Sequence, residues 1–164
     1  MPACPFVRRA LSRFVACAAV VVPAVLGGIP APTASAATAS AYVSYSSPTD
    51  PVTTNSYDVR ITVTVTSTGN RYDLTAYMSG SCRRGSFNSR EPDMALQFGS
   101  TSEPWKEVQR PCGTGSAGRT TESSYEVTGS GTLAADRRVH LRAGAWGGFV
   151  IGTWGWGTRT YVVV

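Results

Sequence analysis

The sequence has little of what catalytic and metal sites are built from. It contains one histidine, His140, and one lysine, Lys106. Zinc sites need several histidine or cysteine ligands, and a catalytic triad needs a histidine within reach of its carboxylate and nucleophile. No calcium-loop pattern and no nucleophile elbow is present, and the ten acidic residues form no patterned pair. We therefore expect no catalytic residues, no metal and no cofactor.

Helical periodicity is also missing beyond the first 36 residues. Polar and apolar residues instead alternate with a period of two, most clearly from Tyr57 to Ser67 and again from Tyr72 to Met78. Turn signals such as Gly69-Asn70 separate these runs. The pattern predicts seven or eight short strands and an all-β fold, an antiparallel β-sandwich that is immunoglobulin-like in general architecture.

The first 36 residues have the three parts of a secretory signal peptide. Three arginines up to Arg13 precede an apolar run, Phe14 to Gly28, and an A-x-A site ends at Ala36. The run is too short to span a membrane. We expect removal of 1–36, secretion of 37–164 as a single domain, and no membrane span in the mature chain. Cleavage after Ala41 is a second possibility. Arg8-Arg9-Ala10-Leu11 matches a twin-arginine signal only in part, so the Sec route is favoured and the twin-arginine route stays open as the alternative.

Signal removal changes what charge and cysteine content imply. Twelve basic and ten acidic residues follow position 36, a net charge of +2, which is not the composition of a nucleic-acid-binding protein. Two cysteines remain, Cys82 and Cys112. An isolated pair in an exported protein predicts a disulfide.

The last 28 residues form the candidate functional segment. Gly147-Gly148 predicts a two-residue hairpin turn, which would set Leu141 opposite Trp154. This register puts Trp154 and Trp156 on an apolar, core-facing side and pairs Asp136 with Arg159. The alternative that stays open is that the tryptophans of the W-G-W-G stretch form a platform for sugar rings.

Surface residues of this segment supply the candidate ligand-binding site. The register leaves two exposed aromatics at the ribbon tip, and a third follows Pro104 in a loop-like segment. It also predicts a basic stripe opposite small residues, where an anion could sit, although a solvated face explains the same stripe. The candidates are Trp146, Phe149, Trp105, Arg138, His140 and Arg142.

These features favour a secreted, non-catalytic binding domain whose partner is an extracellular glycan, a cell-wall polymer or a protein. Two alternatives remain. One is a secreted inhibitor or toxin-like effector that uses the disulfide-braced segment 83–110. The other is a small hydrolase that uses carboxylates, because scattered acidic residues can still meet in the folded chain.

Overall fold

The computed structural model describes residues 34–46, 54–86, 91–113, 116–147 and 152–164. These residues form antiparallel strands and contain no helix, which confirms the predicted fold class. The strands number nine rather than seven or eight. They are β1 (Ser35–Tyr45), β2 (Ser56–Thr68), β3 (Arg71–Arg83), β4 (Asp93–Gly99), β5 (Lys106–Pro111), β6 (Thr120–Thr132), β7 (Arg138–Gly147), β8 (Thr153–Trp156) and β9 (Thr160–Val163).

The strands form two sheets. The first has the order β1-β2-β3-β6, and the second has the order β5-β4-β7-β8, with β9 also paired to β7. The predicted turn at Gly69-Asn70 joins β2 to β3, with Thr68 opposite Arg71 and Gly69 at a φ of 61°. Because only glycine adopts a positive φ without strain, this position sets the register of the hairpin.

The core lies between the two sheets, and strand alternation supplies it. In β2 every second residue from Tyr57 to Ser67 is buried, and β3 repeats the pattern from Tyr72 to Cys82. The second sheet contributes the buried alternate residues of β4 and β7. Side chains with no exposed surface include Val59, Ile61, Val63, Val65, Tyr72, Met78, Met94, Leu96, Val139 and Leu141.

The predicted disulfide is confirmed. Cys82, near the end of β3, is bonded to Cys112, which follows β5, and both residues are completely buried. The bond therefore joins β3, an inner strand of the first sheet, to the end of β5 in the second sheet. Between the two cysteines lies β4, which pairs with both β5 and β7. In the described part of the segment 83–110, β4 and most of β5 are paired sheet strands, so the segment is not one continuous loop.

The predicted register of the closing hairpin is wrong. Trp146 lies opposite Trp154 and Gly147 opposite Thr153, so residues 148–152, and not a Gly147-Gly148 pair, connect β7 to β8. The observed register differs from the predicted register by an odd number of residues. Such a difference puts every side chain of β8 on the face opposite to the predicted one. The predicted Asp136–Arg159 pair is absent as well, since Asp136 precedes β7 and accepts a hydrogen bond from the Arg138 amide at 3.3 Å.

All described residues fall within a compact unit that spans 31–164. The apolar run of the predicted signal peptide lies outside the described residues. In the part of the chain that is described, no helix is long and apolar enough to cross a membrane.

Candidate functional site

The W-G-W-G stretch turns its glycines inward and its tryptophans outward. A Cβ at Gly155 would overlap the Tyr57 hydroxyl, and one at Gly157 would overlap the Tyr42 carbonyl oxygen of β1. The inner side of β8 therefore has no room for a side chain, because Tyr57 and the β1 backbone already fill it. Trp154 and Trp156 are consequently half-buried on the outer face of the second sheet, and the prediction that they form part of the core is wrong.

The two tryptophans form a stacked pair. Their ring centroids are 5.4 Å apart and their planes differ by 20°. Gly144, which lies opposite Trp156 on β7, makes room for this arrangement because any Cβ there would overlap the Trp156 ring. A glycine in the middle of a strand is unfavourable by itself, so its value here is the close approach that it allows.

Arg142 continues the stack from β7. Its guanidinium carbon lies 4.5 Å from the ring centroid of Trp156 and 5.5 Å from that of Trp105. Its Nε donates a 2.7 Å hydrogen bond to the Gln97 side-chain oxygen on β4. The Gln97 amide in turn donates to Glu107 on β5. The guanidinium is therefore held at a fixed position between two indole rings.

Trp105 reaches this face from the connection between β4 and β5. The backbone of Trp105 passes over Gly99, where a Cβ would lie 3.3 Å from the Trp105 Cα. Arg159, in the connection between β8 and β9, has its guanidinium carbon 5.0 Å from the Trp105 centroid. Two arginines from distant parts of the chain thus contact one half-buried indole ring.

Three more side chains extend the cluster along β7 and β9. The His140 ring lies 6.4 Å from Trp105 and 5.8 Å from Tyr161, which is its partner across the strands. Arg138 has its guanidinium carbon 4.5 Å from the Tyr161 centroid. We call the whole set the aromatic–arginine ladder: Trp154, Trp156, Arg142, Trp105, Arg159, His140, Tyr161 and Arg138.

The connection that carries Trp105 is fastened to the first sheet by Glu103. Its carboxylate accepts hydrogen bonds from the Tyr72 hydroxyl at 2.7 Å, from Lys106 at 3.3 Å and from the Thr132 amide at 3.4 Å. Burial alone would raise the pKa of Glu103, but these donors and the Lys106 charge outweigh it and hold the pKa below its ordinary value. Burial, followed by the bond to Glu103, raises the pKa of Tyr72.

The ladder contains four of the six predicted ligand-binding residues. Arg138, His140 and Arg142 share the outer face as predicted, but they do not lie opposite the glycines and threonine of β8. Arg138 lies opposite Val163, His140 lies between Tyr161 and Gly99, and Arg142 lies opposite Gln97. The predicted row of small residues opposite the stripe is therefore absent, the backbone of Trp105 passes over Gly99, and aromatic rings contact Arg138 and Arg142. Trp105 is the fourth.

Trp146, which was predicted to be an exposed aromatic, is buried. Trp146 is on the expected face but is only 7% exposed, because the backbone at Gly152 lies against its indole ring. Phe149 is outside the described residues. Arg159 and Tyr161 were not among the sequence candidates, and Trp154 and Trp156 entered only through the open alternative of a sugar platform. The signal that could have found the tryptophans is the strict W-G-W-G alternation, which requires one face to be glycine.

Metal and acid–base candidates do not gather around the ladder. Within the described ranges, no three histidine, cysteine or acidic side chains come together as a metal site. Glu91, one of the loop carboxylates, forms an ion pair with Arg84 at 3.6 Å. The arrangement thus offers flat aromatic faces and cationic edges, which are binding groups.

The outer face of the first sheet has a different chemistry. Tyr42 and Tyr77 are 46% and 54% exposed there, among serine and threonine side chains. Tyr42 donates a 2.9 Å hydrogen bond to Asp58, which also forms a 3.5 Å ion pair with Arg60. This face carries acidic as well as basic groups, and its exposed residues provide control positions for substitutions in the ladder.

No protein-family profile and no curated protein matches the sequence. One solved structure, a Bordetella pertussis protein designated as a candidate ApaA protein, aligns with 82% of this chain and 95% of its own at 12% identity. The TM-score is 0.32, and a likeness of that size supports no statement about fold or function beyond what the strands themselves show.

Proposed function

We propose that the chain is a secreted, non-catalytic binding domain that holds an extracellular glycan or cell-wall polymer on the outer face of its second sheet. The observation that carries this proposal is the stacked pair of Trp154 and Trp156, which lies outside the core and remains half-exposed. Flat aromatic faces pack against the C–H surface of sugar rings, and polar groups at their edges bind the hydroxyls.

The position of the pair on paired strands supports the proposal further. Trp156 packs against Gly144 and Arg142, and Trp105 is fastened through Glu103 to the first sheet. Side chains that are held in place before a ligand arrives lose little conformational entropy on binding. A rigid aromatic surface of this kind suits a polymer that presents repeated flat units.

The test is a pull-down of the mature protein on insoluble polysaccharides and isolated cell walls, comparing wild type with Trp154→Ala. Tyr77→Ala is the matched control, since it removes an exposed aromatic from the opposite sheet. We expect the Trp154 variant to lose at least about tenfold in affinity, the loss of one stacking contact of about 1.5 kcal/mol. The Tyr77 variant should bind like wild type.

Two outcomes would contradict the proposal. Wild-type protein that is retained by none of these polymers would remove the glycan as a ligand. A Tyr77→Ala variant that loses binding while Trp154→Ala keeps it would locate the site on the first sheet.

A further inference from the structure

We infer that the ladder selects glycans that carry negative charge, with arginine edges binding the anionic groups while the tryptophans contact the sugar rings. This inference rests on the proposed function and adds the ligand's chemical class. Its basis is the composition of the ladder, which has three guanidinium groups and no acidic member.

The arginines of the ladder have no carboxylate partner in the described part of the chain. The ion pairs found there join Arg60 to Asp58, Arg84 to Glu91 and Lys106 to Glu103. None of them includes an arginine of the ladder, although the last pair flanks Trp105. Glu107 is the nearest acidic side chain in the hydrogen-bonded row, and the amides of Gln97 and Gln109 occupy its two oxygens. Asp136 accepts a hydrogen bond from the backbone amide of Arg138, but no described carboxylate forms an ion pair with the guanidinium group of Arg138, Arg142 or Arg159.

The way the guanidinium groups are held leaves them able to bind an anion. A guanidinium that stacks on an aromatic ring uses its flat face, and its N–H donors point outward in the plane of the group. Arg142 uses its Nε on Gln97, so its two terminal nitrogens remain as a fork. Such a fork matches the two oxygens of a carboxylate, a sulfate or a phosphate.

The distances between the arginines of the ladder favour a polymeric ligand over a single anion. Arg159 and Arg142 contact the same Trp105 ring, while Arg138 lies beyond His140 and Tyr161 at the start of β7. Arg138 and Arg142 are four residues apart on one strand, or about 13 Å at the usual strand rise. A chain with repeated acidic sugars can reach both positions and the tryptophan pair at once.

The experiment measures affinity for soluble polymers that differ in charge. Polygalacturonate supplies carboxylates, chondroitin sulfate supplies sulfates, teichoic acid supplies phosphates, and a neutral galactan supplies none. Arg142→Gln and Arg138→Gln are compared with wild type and with Arg60→Gln, which removes one charge from the opposite sheet. Thermal unfolding of each variant checks that it is folded.

We expect wild type to bind at least one charged polymer at least about tenfold more tightly than the galactan, with affinity that falls as salt rises. Each ladder variant should lose about tenfold or more, as expected for a hydrogen bond to a charged group, while Arg60→Gln should lose little. The polymer that is preferred identifies the anionic group.

The remaining outcomes overturn the inference. Equal affinity for galactan and the charged polymers would leave the proposed glycan function intact and refute the charge selection. Equal losses from Arg60→Gln and Arg142→Gln would show that net charge acts, and not the ladder. Tighter binding to polyglutamate than to every acidic glycan would make the partner an acidic protein segment. Binding to none of the soluble polymers would refute the charge selection, and the pull-down on insoluble polysaccharides and cell walls decides the glycan function separately.

Discussion

At the scale of single residues, the bond between Tyr72 and Glu103 is a polar contact between a fully buried hydroxyl and a carboxylate. Tyr72 has no exposed surface, and the Glu103 side chain is 16% exposed. A hydrogen bond to a charged, largely buried group contributes more to stability than a neutral surface bond. This one also joins the first sheet to the connection that positions Trp105.

Removing the Tyr72 hydroxyl should therefore be costly. We expect Tyr72→Phe to lower the free energy of unfolding by about 2 kcal/mol, since Glu103 would keep its charge but lose its shortest donor. Urea denaturation measures the change. Tyr77 lies five residues further along the same strand, on its opposite face, and is 54% exposed, so Tyr77→Phe should change the free energy of unfolding by less than about 0.5 kcal/mol. Equal effects of the two substitutions would contradict the assignment.

The same pair predicts how stability depends on pH. Glu103 has a lowered pKa, so its contribution is complete above the ordinary value of 4.5 and is lost as pH falls through the folded-state pKa. Tyr72 has a raised pKa, so its contribution is complete below its ordinary value of 10.0 and declines as pH rises above it. The urea concentration at the unfolding midpoint should be higher between pH 4.5 and 10.0 than outside this range. The variant Glu103→Gln should lose less stability than wild type as the pH falls below 4.5.

At the scale of elements, the register of β7 against β8 decides which tryptophan is structural. Trp146 is 7% exposed, whereas Trp154 and Trp156 are half-buried. We expect Trp146→Ala to lower the free energy of unfolding by about 3–5 kcal/mol, as for other large-to-small changes at buried positions. Trp154→Ala removes one stacking partner and should cost no more than about 2 kcal/mol.

Chemical denaturation of the two variants, followed by far-UV circular dichroism, measures this order. Val163→Ala is a useful reference, because Val163 lies at 56% exposure on the same outer face. A larger loss for Trp154→Ala than for Trp146→Ala would mean that the hairpin has the two-residue turn after all.

The disulfide between Cys82 and Cys112 also links two elements of the fold. It closes a loop with a sequence separation of 30 residues between β3 and the end of β5. Chain-entropy reasoning gives a contribution of about 3–4 kcal/mol for such a loop. We expect the double substitution Cys82→Ala, Cys112→Ala to lower the free energy of unfolding by this amount. Reductant should destabilise wild type but leave the double variant unchanged, which provides the control.

At the scale of the whole molecule, the position of β1 bears on the mature N-terminus. Cleavage after Ala36 would leave Ala37 to Tyr45 of β1 in place against β2. Cleavage after Ala41 would remove Ala41, which is 4% exposed and belongs to the core. We therefore expect the intact mass of the secreted protein to correspond to a chain that starts at Ala37. A product that retains Arg8 and Arg9 would contradict the predicted signal peptide.

The all-β fold class, the core faces of β2 and β3, and the disulfide could be predicted from the sequence. A strand whose residues alternate with a period of two has only two faces. Around Ile61 one face carries valines and the other carries threonines, so the valine face is predicted to be buried. The two cysteines that follow the predicted cleavage site permit only one intramolecular bond. Each of these conclusions depends on a local pattern or on counting residues, and none requires knowledge of which residues the opposite sheet contributes.

Only the tertiary structure decided the face of the W-G-W-G stretch. Hydrophobicity alone favours buried tryptophans, but Tyr57 and the β1 backbone lie too close to β8 for any inward side chain, so the glycines take that side. The ladder has the same origin. Trp105, Arg142 and Trp156 come from three separate segments, and they meet because β4, β7 and β8 are neighbours in one sheet. Sequence alternation sets which residues share a face, while close packing between distant strands sets which face is open.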